Sequence, residues 1–128
     1  MKLNYFSLSE FDCPSLGGSS VNMDRDFLTK LDLAREYAGI PFKITSGYRT
    51  KEHNEELRKK GYKASANSSH LVGKAADIAV SSGAERYVIL NALIKAGFKR
   101  IGIAKTFIHC DTDSIDQGGT KPNSVWTY

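Results

Sequence analysis

The sequence predicts an α+β domain, a small antiparallel sheet with helices packed against it. Apolar residues recur at helical spacing in two stretches. Short alternating or apolar runs of strand length stand between them, and the two kinds of segment follow no regular βαβ alternation. A chain of 128 residues suits one domain over residues 1–128, and a hydrophobic fraction of 41% is enough for a core that needs no disulfides.

Taken in order, residues 1–22 read as an irregular arm, with Pro14, Gly17, Gly18, Ser19 and Ser20 forming a turn-rich patch. Asn22 or Asp24 can cap a helix whose Phe27, Leu28, Leu31, Ala34 and Ala38 share one face, and Gly39 and Pro41 stop it. Phe42 to Thr45 alternates apolar and polar as a half-buried strand does. After the turn Ser46-Gly47-Tyr48-Arg49, Thr50 can cap a polar helix over residues 51–60 that Gly61 ends. Residues 62–69 read as a loop, and Ala75 to Val80 as a buried strand broken by Ser81-Ser82-Gly83. A third helix is expected over about 84–97, with Tyr87, Leu90, Ile94 and Gly97 on one face. Strands are expected at Arg100 to Ala104 and Thr106 to Asp111. A terminal strand is expected at Val125 to Tyr128, after a polar, turn-like tail.

The net charge of +4 favours anionic partners, nucleic acid or an anionic cell-wall polymer. Basic residues occur as short pairs, Lys59-Lys60 and Lys99-Arg100, and form no stripe, which argues against nucleic acid. No stretch has the length of a membrane span, and the first ten residues lack the apolar core of a secretory signal. The expectation is a chain made in a reducing cytoplasm, with Cys13 and Cys110 as free thiols. A monomer is expected.

Three histidines occur, His53, His70 and His109. His109 lies in an apolar strand, where a polar ring needs a reason. Asp77 interrupts the apolar run Ala75-Ala76-Ile78-Ala79-Val80, and an unpaired carboxylate there costs several kcal/mol. A turn at Gly73 can bring His70 and Asp77 together, and a divalent cation removes the penalty. Two imidazoles and a carboxylate make a three-ligand catalytic zinc set with one open position. Zinc so held lowers the pKa of water to about 7 and polarises a carbonyl oxygen. Asp111, two residues past His109, faces the same side of the strand. It can orient His109 or serve as general base. Against these stand plainer readings. His109 suits a hydrogen-bonded core residue, and Asp77 suits a helix cap or a partner for Arg49. Ser68 and Ser69 suit turn chemistry as well as contacts to ligands or substrate. Cys110 alternates away from His109 and reads as a packed thiol, and His53 reads as a solvated surface residue. Trp126 and Tyr128 read as covering the C-terminal edge, with a cleft wall as the alternative.

The segment Ser69-His70-Leu71-Val72-Gly73-Lys74-Ala75-Ala76-Asp77-Ile78 resembles the H-x-x-G-x-x-x-D motif of the M15 metallopeptidases. These include D-alanyl-D-alanine carboxypeptidases and phage L-alanyl-D-glutamate endopeptidases, and share a fold with the hedgehog signalling domain. Phe107-Ile108-His109-Cys110-Asp111 resembles the family's second motif, Ser46-Gly47-Tyr48-Arg49-Thr50 its upstream S-G-Y-R segment, and Ser9-Glu10-Phe11-Asp12-Cys13-Pro14 the start of its short members. The resemblance implies a small antiparallel sheet carrying the metal site, with zinc held by His70, Asp77 and His109. It implies a peptidase acting on the stem peptides of peptidoglycan. Arg49 would hold substrate or the oxyanion, with a structural salt bridge as its plainer role. Ser69 is a candidate substrate contact. Many members carry an acid three residues before the last histidine, where this chain has Thr106. The short subgroup with H-x-D instead implies Asp111 as general base, with Asp113 a weaker candidate. The missing acid also leaves room for a rival, a non-catalytic zinc domain that binds wall fragments or a protein. The expected setting is a phage lysin or virion component acting on the cell wall.

Overall fold

The computed structural model describes residues 2–62 and 64–128. Met1, and Lys63 within the expected loop over 62–69, lie outside the described residues. Three α-helices, α1 (Arg25–Ala38), α2 (Lys51–Lys59) and α3 (Gly83–Lys95), accompany five strands. The strands are β1 (Ile44–Ser46), β2 (Ala75–Ala79), β3 (Arg100–Ile103), β4 (Phe107–Asp111) and β5 (Ser124–Thr127). They form one sheet in the order β1-β2-β4-β3-β5.

Sequence-level boundaries hold to within a few residues. Of the two candidate caps for α1, Asp24 takes the role and accepts the Phe27 N–H. Thr50 and Ser82 cap α2 and α3 in the same way. Three strand pairings are antiparallel as expected, but β5 runs parallel to β3. The tail turns back through a bridge between Ser114 and Lys121, and the Arg100 guanidinium holds the Pro122 carbonyl at 2.7 Å. The chain therefore re-enters beside β3 in the same direction. This parallel edge is the one departure from the expected antiparallel sheet.

The arm is also more ordered than its composition suggested. It forms 3-10 turns at Leu8–Phe11 and Ser19–Asn22 and buries Phe6 and Phe11. Phe11 accepts the Tyr48 N–H at 2.9 Å, so the arm braces the Ser46 to Arg49 turn from behind. The face expected for α3 is corrected. Ile89, Ala92 and Leu93 are buried, while Tyr87 and Ile94 are 68% and 56% exposed. This helix is apolar nearly all round, so periodicity alone does not single out the side that meets α1.

One face of the sheet carries Ala76, Ile78, Ile101, Ile108 and Cys110 into the core with Phe27, Leu28, Leu31, Ile89 and Leu93. Side chains alternate along a strand. The residues between them, Ala75 and Asp77 on β2 and Phe107, His109 and Asp111 on β4, therefore face the other way. The fold thus separates a dry face that stabilises from a second face free to carry polar chemistry.

Candidate metal centre and cleft

Strand register builds the centre. Asp77 stands directly opposite His109, His109 opposite Gly102, and Gly102 opposite Trp126. His70 arrives from outside the sheet, on the 3-10 turn Ser69–Val72. That turn ends at Gly73, whose φ is +70° and whose missing side chain leaves room for the Asn22 carbonyl and Met23. A side chain at Gly73 would push the turn, and His70 with it, off the sheet.

His70, Asp77 and His109 offer ligand atoms that all lie within 4.8 Å of one another, and all three residues are buried. Their outer hydrogen bonds fix which atoms face inward. His70 Nδ1 lies 2.7 Å from the Gly47 carbonyl oxygen, which only accepts, so Nδ1 carries the proton and Nε2 turns its lone pair inward. His109 Nε2 lies 2.7 Å from Asp111 Oδ2, which leaves Nδ1 facing Asp77 Oδ1 at 3.0 Å. His70 Nε2 lies 3.3 Å from that same oxygen. With both imidazoles neutral, two ring lone pairs and a carboxylate oxygen converge with no proton between them. A cation resolves that conflict, and this donor set and its outer partners suit zinc.

The same geometry sets the ionisation of the metal-free site. Burial pushes the His70 pKa down, with Asp77 opposing. Burial also works against charge on His109, but hydrogen bonds to Asp111 and Asp77 outweigh it and raise the pKa. Burial disfavours the Asp77 anion too, yet the two histidines hold its carboxyl well below the usual carboxylate range. Without metal, His109 thus holds its proton more tightly than a free imidazole does, and His70 less tightly. A metal held there would displace that proton. Zinc binding should release a proton from His109, the release falling and the affinity rising as pH increases through the raised pKa of that residue. Calorimetry in buffers of different ionisation enthalpy reads this directly. Release centred well below pH 6.5 would contradict it.

Arg49 stands beside the triad, 8% exposed. Its Nε donates to Ser46 Oγ at 3.1 Å, Nη1 to Asn54 Oδ1 at 3.2 Å, and Nη2 reaches Asp77 Oδ2 at 3.5 Å. The salt bridge to Asp77 therefore exists, and it holds the guanidinium at the mouth of the site. Asn54 is a residue that sequence reasoning missed. It is buried on an otherwise polar helix, and it also donates to the Ser65 carbonyl, tying α2 to the ligand loop.

Asp111 is fully buried. Oδ2 faces His109, while Oδ1 accepts from Arg100 Nε at 2.8 Å and from the Asp113 N–H at 3.0 Å. Asp113 accepts from Ser69 Oγ at 2.8 Å, and Lys121 Nζ lies 3.4 Å from it and 3.0 Å from Ser69 Oγ. The Ser69 hydroxyl is thus engaged on both sides within the protein. Lys121 also holds the Asn67 carbonyl, so this network clamps the loop that carries His70 to the tail. Cys110 is buried on the core side, as its alternation implies, and its thiol is pushed well up by burial. Cys13 is likewise a free buried thiol.

Arg49, His70, Asp77, Arg100, His109 and Asp111 line a cleft of about 920 Å³. Within the range of small-ligand sites, that volume accommodates a short peptide. His53 lines it from α2, half-buried, rather than standing in solvent. Thr106 lines it without an acidic group. Trp126 and Tyr128 form a wall, so the cleft alternative holds for both. The indole ring centre lies 5.4 Å from that of His109, and the Arg100 guanidinium stacks 4.9 Å over the indole. This approach requires glycine on β3, because a Cβ at Gly102 would stand 2.6 Å from the indole nitrogen.

The fold is similar to that of ChiX, an L-Ala D-Glu endopeptidase of Serratia marcescens, with a TM-score of 0.53. The two chains share 23% identity over 59% of this chain and 62% of the other, so this chain spans less than two thirds of that protein. At that identity the likeness speaks for the fold alone. No curated protein sequence matches the chain. No helix among the described residues is long and apolar enough to cross a membrane. The family model for Peptidase M15 matches residues 4–111, which takes in most of the arm, the Arg49 turn and His70, Asp77 and His109. The chain belongs to the Peptidase M15 family.

Proposed function

We propose that this chain is a zinc peptidase that hydrolyses peptide bonds in the stem peptides of peptidoglycan. The carrying observation is the convergence of His70 Nε2, His109 Nδ1 and Asp77 Oδ1, each backed by a fixed partner, beside Arg49 in a peptide-sized cleft. Family membership and the fold shared with an L-Ala D-Glu endopeptidase support the substrate class. The basic balance of the chain suits an anionic wall polymer, as does a phage lysin or virion setting.

Zinc bound there would supply a water of lowered pKa and polarise the scissile carbonyl. The residues do the rest. Gly47 and Asp111 keep the two imidazoles in the tautomers whose lone pairs face inward. Arg49, held by Ser46, Asn54 and Asp77, presents a charged donor to the carbonyl oxygen as negative charge grows on it. Asp111 is already engaged by Arg100, His109 and the Asp113 N–H, so of its two candidate roles we assign it the orientation of His109. Ser69 and Asp113 hold the His70 loop in place.

The rival reading, a non-catalytic zinc domain, draws on Thr106 standing where many relatives have an acid. The test is digestion of purified sacculi of several wall types by the zinc-loaded chain and by His109→Ala, with released peptides identified by mass. Soluble stem-peptide fragments from the wild type and none from the variant are expected, and their masses name the bond. Binding to sacculi without release from any wall type would support the rival.

A further inference from the structure

We propose that Lys105, at the tip of the β3–β4 hairpin, binds a carboxylate of the substrate and so makes the chain selective for an acidic peptide. The assignment rests on the peptidase reading and deepens it, since neither the metal triad nor Arg49 says which peptide is preferred. It starts from the charges of the cleft. Arg49, Arg100, Lys105 and Lys121 line it, against the carboxylates of Asp77 and Asp111. A concave wall with that imbalance focuses its field on anions. Zinc at the triad would add to the field.

Three of these cations are already engaged. Arg49 faces Asp77 at 3.5 Å. Arg100 faces Asp111 at 2.8 Å and holds the Pro122 carbonyl. Lys121 lies 3.4 Å from Asp113 and holds Ser69 Oγ and the Asn67 carbonyl. The Lys105 ammonium has no partner among the described residues, and its neighbour Thr106 carries no charge. Its backbone, by contrast, is fixed. Arg86 Nη2 donates to the Lys105 carbonyl at 2.6 Å, the Val80 N–H to the Thr106 carbonyl at 2.9 Å, and the Ala104 N–H to the Phe107 carbonyl at 3.0 Å. Only the side chain has to be ordered when a carboxylate arrives.

The hairpin also sets the distance. Phe107 and His109 line the cleft from β4, and Lys105 precedes them at the tip. A strand advances about 3.4 Å per residue, which puts Lys105 roughly 12 Å from His109 along β4. An extended peptide covers a like length per residue, so Lys105 meets a charge roughly three residues from the bond that is cut. It therefore acts on binding and not on the bond-breaking step. A lysine is a point charge on a flexible stem, so the carboxylate can be that of a side chain or of the peptide C-terminus.

The test uses the zinc-loaded full chain, Lys105→Gln and Lys105→Arg. Lys30→Gln removes the same charge from α1, which packs on the other face of the sheet, and serves as the control. The probes are synthetic stem peptides, each as the free acid and with its C-terminal carboxylate or each side-chain carboxylate amidated in turn. Amidating one of these should lower wild-type kcat/KM roughly three- to tenfold, mainly through KM, and added salt should shrink the loss. Lys105→Gln should bring that acid-to-amide ratio close to one, while Lys105→Arg and Lys30→Gln keep it. Which amide shows the effect tells a C-terminal source from a side-chain source. A ratio that survives in Lys105→Gln, or a wild type indifferent to every amidation, overturns the proposal. So does a loss in Lys105→Gln that is equal for acid and amide. A wild type that cleaves none of the peptides overturns the peptidase reading. Calorimetric affinities for acid and amide then decide the carboxylate site separately, equal values overturning it.

Discussion

Asp77→Asn is expected to abolish peptide release and to lower zinc affinity by two to three orders of magnitude. Buried zinc sites bind with roughly 10–16 kcal/mol in total, so one ligand of three accounts for several kcal/mol. The amide keeps the shape of the side chain and removes its charge. Asp77 is also the anion shared by Arg49, His70 and His109, at 3.5, 3.3 and 3.0 Å. Without it the buried Arg49 guanidinium would lose its carboxylate partner in the metal-free chain, and His109 would keep only Asp111. Removing one partner of a buried ion pair costs about 3–5 kcal/mol. The metal-free variant should therefore melt well below the metal-free wild type. Chelator competition reads the first effect and calorimetry the second. A variant that binds zinc as the wild type does would remove Asp77 from the ligand set.

Asp111→Asn separates the two roles its position allows. The amide can still accept from one donor, but it no longer fixes His109 as firmly with Nε2 protonated, and Arg100 loses its charge partner. Outer-shell partners of this kind are worth about 10- to 100-fold in metal affinity. The expected result is a zinc affinity lower by that factor, with much of the activity restored at saturating zinc. If Asp111 instead moved the proton of the attacking water, zinc affinity would hold and kcat would stay low at any zinc concentration. Measuring affinity and kcat on the same preparation distinguishes these outcomes.

The candidate triad was legible through a contradiction in pattern, which the resemblance to the M15 motifs sharpened. Asp77 and His109 break apolar strands that otherwise bury cleanly, and Gly73 marks the turn that brings His70 to them. Helix caps were legible for the same local reason at Asp24 and Thr50, which act within three residues of themselves, whereas Ser82, read only as part of a strand break, caps α3 as well. What depended on distant partners was not legible. The parallel direction of β5 is set by a tail that doubles back through Ser114 and Lys121, and no periodicity records it. The buried side of α3 is chosen by α1, because the helix is apolar on most sides. The engagement of Asp111 by Arg100, eleven residues away and across a strand pair, is what bears on its role. Ser69 reads from sequence as a candidate substrate contact, while in the fold its hydroxyl lies between Asp113 and Lys121, partners 44 and 52 residues away. Gly102 carries no pattern of its own, yet it is what admits Trp126 to the metal centre.

Zinc titration of the metal-free chain, with peptide release from sacculi and Trp126 fluorescence followed together, tests the account most directly. Trp126 is the sole tryptophan, and its ring centre lies 5.4 Å from that of His109, so it reports on the centre itself. Release and fluorescence should rise or fall in step, level off at one zinc per chain, and revert together when a chelator is added. Release that proceeds without zinc and ignores the chelator would contradict the assignment of His70, Asp77 and His109 as the metal centre of this peptidase.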